Sequence, residues 1–177
     1  MSKRITGLIA MTVAAILGAG RSAVAQHPTL PDHHGRSAHI FLIGKERMTV
    51  DDVLQGAILR LSMPGCQQLL EDFTDQAGRA LTVNLAATGK SPVDFLAELY
   101  FVGADDTSQC RTGEAVAAFT APGSRVIHVC GKRFVQFAAK TKGGEILVIH
   151  ELLHALGLGE NPPTSSRITS AVMNRCG

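Results

Sequence analysis

The sequence predicts an α+β domain in which a short mixed sheet packs on helices. Three observations predict it. Val53, Leu54, Ala57, Ile58 and Leu61 repeat at the spacing of one helix face, and Ile146, Ile149, Leu153 and Leu156 do so again near the other end of the chain. Between them, Ala80 to Leu85 and Arg125 to Cys130 alternate in the way half-buried strands do. No internal repeat divides the chain, and its length suits one core.

The first 25 residues stand apart. Lys3 and Arg4 precede an uncharged apolar run from Ile5 to Gly20, and Ala23-Val24-Ala25 offers an A-x-A cleavage site before Gln26. This is the pattern of a secretory signal peptide. The apolar run falls short of the roughly 20 residues a spanning helix needs, so residues 1–25 read as a signal, with an exported (secreted or periplasmic) mature chain. The signal carries Lys3, Arg4 and Arg21 and no acid, so its removal takes the formal charge from +2 to −1. Neither nucleic acid nor an anionic membrane is then expected as a partner. Residues 26–37 read as a flexible leader with Pro28, Pro31 and Gly35, and its His27, His33 and His34 read as an unstructured tail with incidental metal affinity. The domain proper is placed at 38–177.

Within it, Ala38 to Ile43 is a strand candidate. Thr49 can cap a helix whose first turn holds Asp51 and Asp52, where the dipole favours acids. Pro64-Gly65 is expected to end it. A second helix is expected from Cys66 to about Asp75, burying Leu69, Leu70 and Phe73, with Glu71, Asp72 and Asp75 on its solvated face. Ala80 to Leu85 is the next strand. Ser91-Pro92-Val93-Asp94 then supplies a cap, a first-turn proline and an early acid for a helix through Leu99. Gly103 to Gly113 reads as a polar loop, its Asp105-Asp106 pair solvated. Ala115 to Thr120 and Arg125 to Cys130 read as two strands joined by the turn Ala121-Pro122-Gly123-Ser124. His128, on the second of these, is a candidate substrate contact, with a hydrogen-bonded structural histidine as the alternative. Gly143-Gly144 marks a break. Thr164 or Ser165 can cap a last helix, where Ile168, Ala171, Val172 and Cys176 share a face.

All four cysteines (Cys66, Cys110, Cys130, Cys176) lie beyond the signal, and an even count in an exported chain favours two disulfides. Cys130 and Cys176 bracket the helix around Ile149 and are the expected pair, with other partners for Cys130 left open.

That helix carries the chemistry. His150-Glu151-Leu152-Leu153-His154 is a His-Glu-x-x-His sequence. Residues four apart share one helix face, so both imidazoles can reach a single ion. Glu151 stands where it can reach a water on that ion.

The motif resembles that of the zincin metallopeptidases, and most closely the metzincin form. That form places a glycine three residues beyond the second histidine and a third ligand three further on. Here those positions are Gly157 and Glu160, a glutamate where the family usually has histidine or sometimes aspartate. Upstream, Ile127-His128-Val129-Cys130 followed by Phe134 is similar to the strand, cysteine and aromatic order of deuterolysin-like aspzincins, whose aspartate-containing downstream motif is absent. Ser170 to Asn174 superficially matches the methionine turn of metzincins, but its period is helical, so Met173 reads as an ordinary helix residue.

These resemblances span Val126 to Met173. They imply a small zincin-like domain, a Zn2+ held by His150, His154 and Glu160, and hydrolysis of a peptide or protein substrate with Glu151 as general base. The strand Arg125 to Cys130 would bind an extended peptide if it formed the edge of the sheet. The competing expectation is an exported binding or structural protein in which zinc only braces the fold.

Overall fold

A four-stranded mixed sheet lies against helices drawn from both halves of the chain in the computed structural model, which describes residues 38–112, 116–140 and 143–177. The expected signal peptide (1–25) and leader (26–37) lie outside the described residues. The strands are β1 (His39–Phe41), β2 (Tyr100–Gly103), β3 (Ala118–Phe119) and β4 (Val126–Val129), in the order β1-β2-β4-β3. The first two neighbour pairs are parallel and β3 runs antiparallel to β4. Parallel neighbours need long crossovers, and helices fill the one between β1 and β2. The antiparallel pair needs only the Ala121 to Ser124 turn, which Ser124 closes by donating to the Ala121 carbonyl at 2.9 Å. Alternation places Phe101, Ile127 and Val129 in the core, with Tyr100, Val102, Val126 and His128 on the other face.

Helix α1 (Gly44–Leu61) buries the stripe that its period announces, from Val50 to Leu61. It begins five residues before Thr49, whose hydroxyl bonds back to the Lys45 carbonyl instead of capping. The chain then turns at Ser62 and Met63. Pro64, expected to break a helix, sits in the first turn of α2 (Pro64–Gln68), where its missing N–H costs nothing. A 3-10 turn (Leu69–Glu71) follows.

The segment expected as a strand at Ala80 to Leu85 is helix α3 (Leu81–Ala87). Leu81 and Leu85 are buried in either conformation, being two steps of two or one step of four. Val83 separates the readings: a strand would bury it beside them, and it is 56% exposed.

Helix α4 (Pro92–Leu96) starts as its sequence indicates, with the Ser91 hydroxyl accepting from the Asp94 N–H. It ends three residues before Leu99, and β2 follows at once. The expected polar loop at Gly103 to Gly113 contains α5 (Ser108–Thr112).

Helices α6 (Gly131–Lys140), α7 (Gly143–Ala155) and α8 (Ser165–Cys176) complete the fold. Thr164 caps α8 by accepting from the Arg167 N–H, and Met173 is an exposed helix residue as its period indicates. Gly144 does not break the chain. It stands in the first turn of α7, where an added Cβ would lie 2.6 Å from Val53 of α1 and 3.0 Å from Ala138 of α6. Three helices meet there, and only hydrogen fits. Arg60 of α1 fastens the same region: buried, it pairs with Glu145 of α7 and donates to the Cys176 carbonyl at the end of α8.

The disulfides join Cys66 to Cys176 and Cys110 to Cys130, which corrects the expected Cys130–Cys176 pairing. The packing gives the reason. Helix α8 lies on α2, bringing Cys176 to Cys66. Cys130, at the end of β4, joins Ala104 and Cys110 in a small cluster separate from the main core. Two disulfides suggest an oxidising compartment. Among the described residues, no helix is long and apolar enough to cross a membrane.

Candidate metal centre

Helix α7 is buried along most of its length, so the polar residues of its motif are held in an apolar setting. His150, Glu151 and His154 are each less than 5% exposed. Each histidine is oriented through its Nδ1 atom. That of His154 lies 2.7 Å from the Leu158 carbonyl, which can only accept, so His154 carries its proton on Nδ1 and presents a lone pair at Nε2. That of His150 lies 3.0 Å from the hydroxyl of Thr169 on α8.

The two Nε2 atoms face each other across 3.0 Å. Burial, reinforced by the neighbouring His154, pulls the pKa of His150 down to about 4. It is therefore neutral at pH 7, the form that binds metals.

The third group arrives by a turn. Gly157 N–H donates to the His154 carbonyl and Leu158 N–H to the Leu153 carbonyl. Gly157 adopts φ 110°, a conformation that side chains rarely tolerate. The chain reverses and places Glu160 Oε1 3.8 Å from Nε2 of His150 and 3.6 Å from Nε2 of His154. These separations are too long for hydrogen bonds. They suit groups converging on a shared ion, since the three atoms all lie within 4.8 Å of one another. His150, His154 and Glu160 can thus hold a metal ion, as the resemblance implies for these three residues.

Two contacts buttress the turn from outside the motif. Asn84 of α3 donates from its one amide nitrogen to the Leu156 carbonyl at 2.9 Å and to Asp75 at 3.0 Å. Asp75, expected on a solvated face, is buried and also accepts from the Ala77 and Arg79 N–H groups and the Arg79 side chain. The β3–β4 turn adds a third hold, its Gly123 N–H donating to the His154 carbonyl at 2.8 Å.

Glu151 stands beside the triangle. One oxygen of its carboxylate is buried with no hydrogen-bond partner among the described residues. Burial pushes its pKa up to about 8, with Glu160 adding to the rise and the Thr120 hydroxyl opposing it. The motif residues and Glu160 line a cleft of about 570 Å³ whose other walls include Val116 to Thr120 and Thr169.

His128 does not reach this cleft. It sits on β4, an interior strand, with its ring stacked on Phe119 at 4.8 Å. The edge strand beside β4 is β3, so Arg125–Cys130 does not form the sheet edge that the expected binding of an extended peptide required.

Thr169, Asp75 and Asn84 escaped the sequence reading. Thr169 had a signal, being an uncapped threonine one residue from the buried stripe of α8. The contact from Asn84 to Leu156 spans 72 residues and left no local trace. Comparison with family models, curated proteins and solved structures finds no match to the chain.

Proposed function

We propose that the protein is an exported zinc-dependent peptidase of the zincin type, with Glu151 as its general base. One observation carries the reading: a buried carboxyl group with an unpartnered oxygen stands beside three converging candidate ligand atoms at the wall of a cleft. A buried carboxyl oxygen without a hydrogen-bond partner is costly. A site that only braced a fold would have no use for it, and structural zinc sites close with four protein ligands. Here the group has three among the described residues, and His128 is not placed to be a fourth.

Two imidazoles and a carboxylate form a donor set of catalytic zinc sites, and zinc held there would polarise the scissile carbonyl and make a water acidic near neutral pH. Glu151 takes the proton of the attacking water and passes it to the leaving nitrogen. The edge strand β3 runs beside the cleft, where an extended peptide can add to it through main-chain hydrogen bonds. The compartment follows from the signal-like first 25 residues and agrees with two disulfides.

The test is metal analysis of the purified protein with a peptide-library digest of wild type and Glu151→Gln. About one zinc per chain is expected in both, with cleavage by wild type alone. Zinc in both and cleavage by neither would favour a bracing role for the ion.

A further inference from the structure

We propose that the protein forms a two-fold dimer through strand β1 and the outward side of helix α1, with a second copy of this chain as the partner. This surface is at the opposite edge of the sheet from β3 and the metal cleft, and nothing about it depends on the peptidase reading.

Strand β1 is the outer strand of the sheet beyond β2, so one side of its backbone has no strand beside it among the described residues. The His39 N–H donates to the Leu99 carbonyl, towards β2. Alternation then points the N–H and C=O groups of Ile40 and Leu42 away from the sheet. The edge carries none of the devices that blunt such a strand, since Ala38 to Ile43 contains no charge, proline or glycine. Phe41 is 66% and Ile43 86% exposed. Pairing with the same edge of a second copy, about a two-fold axis, covers both edges at once and closes the assembly.

The side chains set the register of that pair. With Phe41 on the axis, Ile40 meets Leu42 of the second copy and exchanges two main-chain hydrogen bonds with it, and His39 meets Ile43. Phe41 meets its own counterpart as a non-hydrogen-bonded pair, in which side chains come closest.

The same axis matches the charges of α1. Ala38 lies beside Asp51 and Gln55 in one depression, so α1 runs back along β1 in the opposite direction. The step from Ile43 back to Phe41 spans about 7 Å of strand, the rise of about four or five helical residues. That brings Met48, itself exposed, level with Phe41. Before this level stand Lys45 and Arg47 and after it Asp51 and Asp52, all four exposed and none in an ion pair among the described residues. Glu46, the acid between the two bases, lies against Gly131 of α6 instead. The bases thus stand near the N-terminus of α1, where the helix dipole disfavours them and no acid of the same chain answers them. A two-fold axis at Met48 sets the basic half of α1 against the acidic half of its counterpart, and does so twice.

Sedimentation velocity of the purified protein, with the mass from light scattering, is the test. Wild type should sediment as a dimer at micromolar concentration. Phe41→Lys puts two like charges on the axis and should weaken the dimer by about hundredfold or more, with an unchanged far-ultraviolet circular dichroism spectrum because Phe41 is a surface residue. Lys45→Glu with Arg47→Glu should weaken it by about tenfold, and so should Asp51→Lys with Asp52→Lys. All four substitutions together restore opposite charges across the axis and should return the dimer to near wild-type strength. A monomeric wild type overturns the inference. So does a dimer indifferent to Phe41→Lys, or a charge reversal that the fourfold variant fails to rescue. A wild type that dimerises only once residues 26–37 are removed assigns the edge to that segment of the chain and overturns it as well.

Discussion

The hydroxyl of Thr169 lies 3.0 Å from Nδ1 of His150, so the first histidine of the motif is oriented by a helix that follows it in sequence. A ligand imidazole held through its other nitrogen binds metal more tightly, because its ring and tautomer are fixed before the ion arrives. Thr169→Val keeps the shape of the side chain and removes the hydroxyl. It should weaken zinc binding by about tenfold or more, measured by competition with a chromogenic chelator, and Thr169→Ser should retain wild-type affinity. Equal affinity in all three proteins would mean that the contact orients nothing.

Glu160 is the more exposed member of the triangle, its side chain 41% accessible against 4–5% for the histidines. A bound ion would therefore have to hold it in place against water. Glu160→Ala should cost more than the roughly hundredfold that bounds the loss of an outer partner. Glu160→His should recover most of the binding, since imidazole is an equally good donor. If alanine at this position leaves affinity untouched, another group completes the site.

What was legible in the sequence followed from strong local periods. The motif helix, the buried stripe of α1 and the caps at Ser91 and Thr164 depend on residues within a turn or two of each other, and each stands where the pattern put it. The failures have two causes. At Leu81 to Leu85 the apolar spacing satisfies both a strand and a helix, and only packing of the whole fold decides which of Val83's neighbours are buried. Elsewhere the information is non-local. The Cys66–Cys176 bridge closes 110 residues, and Asp75 looked solvated because its neighbours in sequence are polar while its burial comes from the Gly157 turn. The candidate site divides the same way: two candidate ligands and Glu151 lie on one helix, whereas the groups that fix their geometry come from α3, α8 and the β3–β4 turn.

Asp75 makes a pH prediction with a definite sign. The Asn84 amide first, then the Arg79 N–H, hold its carboxyl well below the usual carboxylate range, against the opposing effect of burial. A folded-state pKa below the unfolded one means that the ionised form stabilises the fold. That contribution is complete above the unfolded value of about 4 and is lost progressively as pH falls below it towards the folded value. Asp75→Asn should therefore be less stable than wild type at pH 6, and the gap should narrow steadily between about pH 4 and pH 2.5. Urea midpoints across that range measure it. A gap that stays constant with pH would mean that Asp75 acts through shape alone.

The two disulfides should differ in both size and kind of effect. The bridge from Cys66 to Cys176 spans 110 residues and that from Cys110 to Cys130 spans 20. In the chain-entropy account, the longer loop stabilises by about 5 kcal/mol and the shorter by about 3 kcal/mol. Replacing Cys66 and Cys176 with serine should thus lower the unfolding free energy by about 1–2 kcal/mol more than replacing the other pair. The long bridge also fixes the end of α8, the helix that presents Thr169 to His150. Its loss should weaken zinc binding in the folded protein, whereas loss of the Cys110–Cys130 bridge, which sits in the separate cluster at the end of β4, should not. Urea unfolding and chelator competition on the two double variants distinguish these effects. Equal zinc affinity in both would show that Arg60 and the packing of α8 suffice to hold Thr169 in place without the bridge.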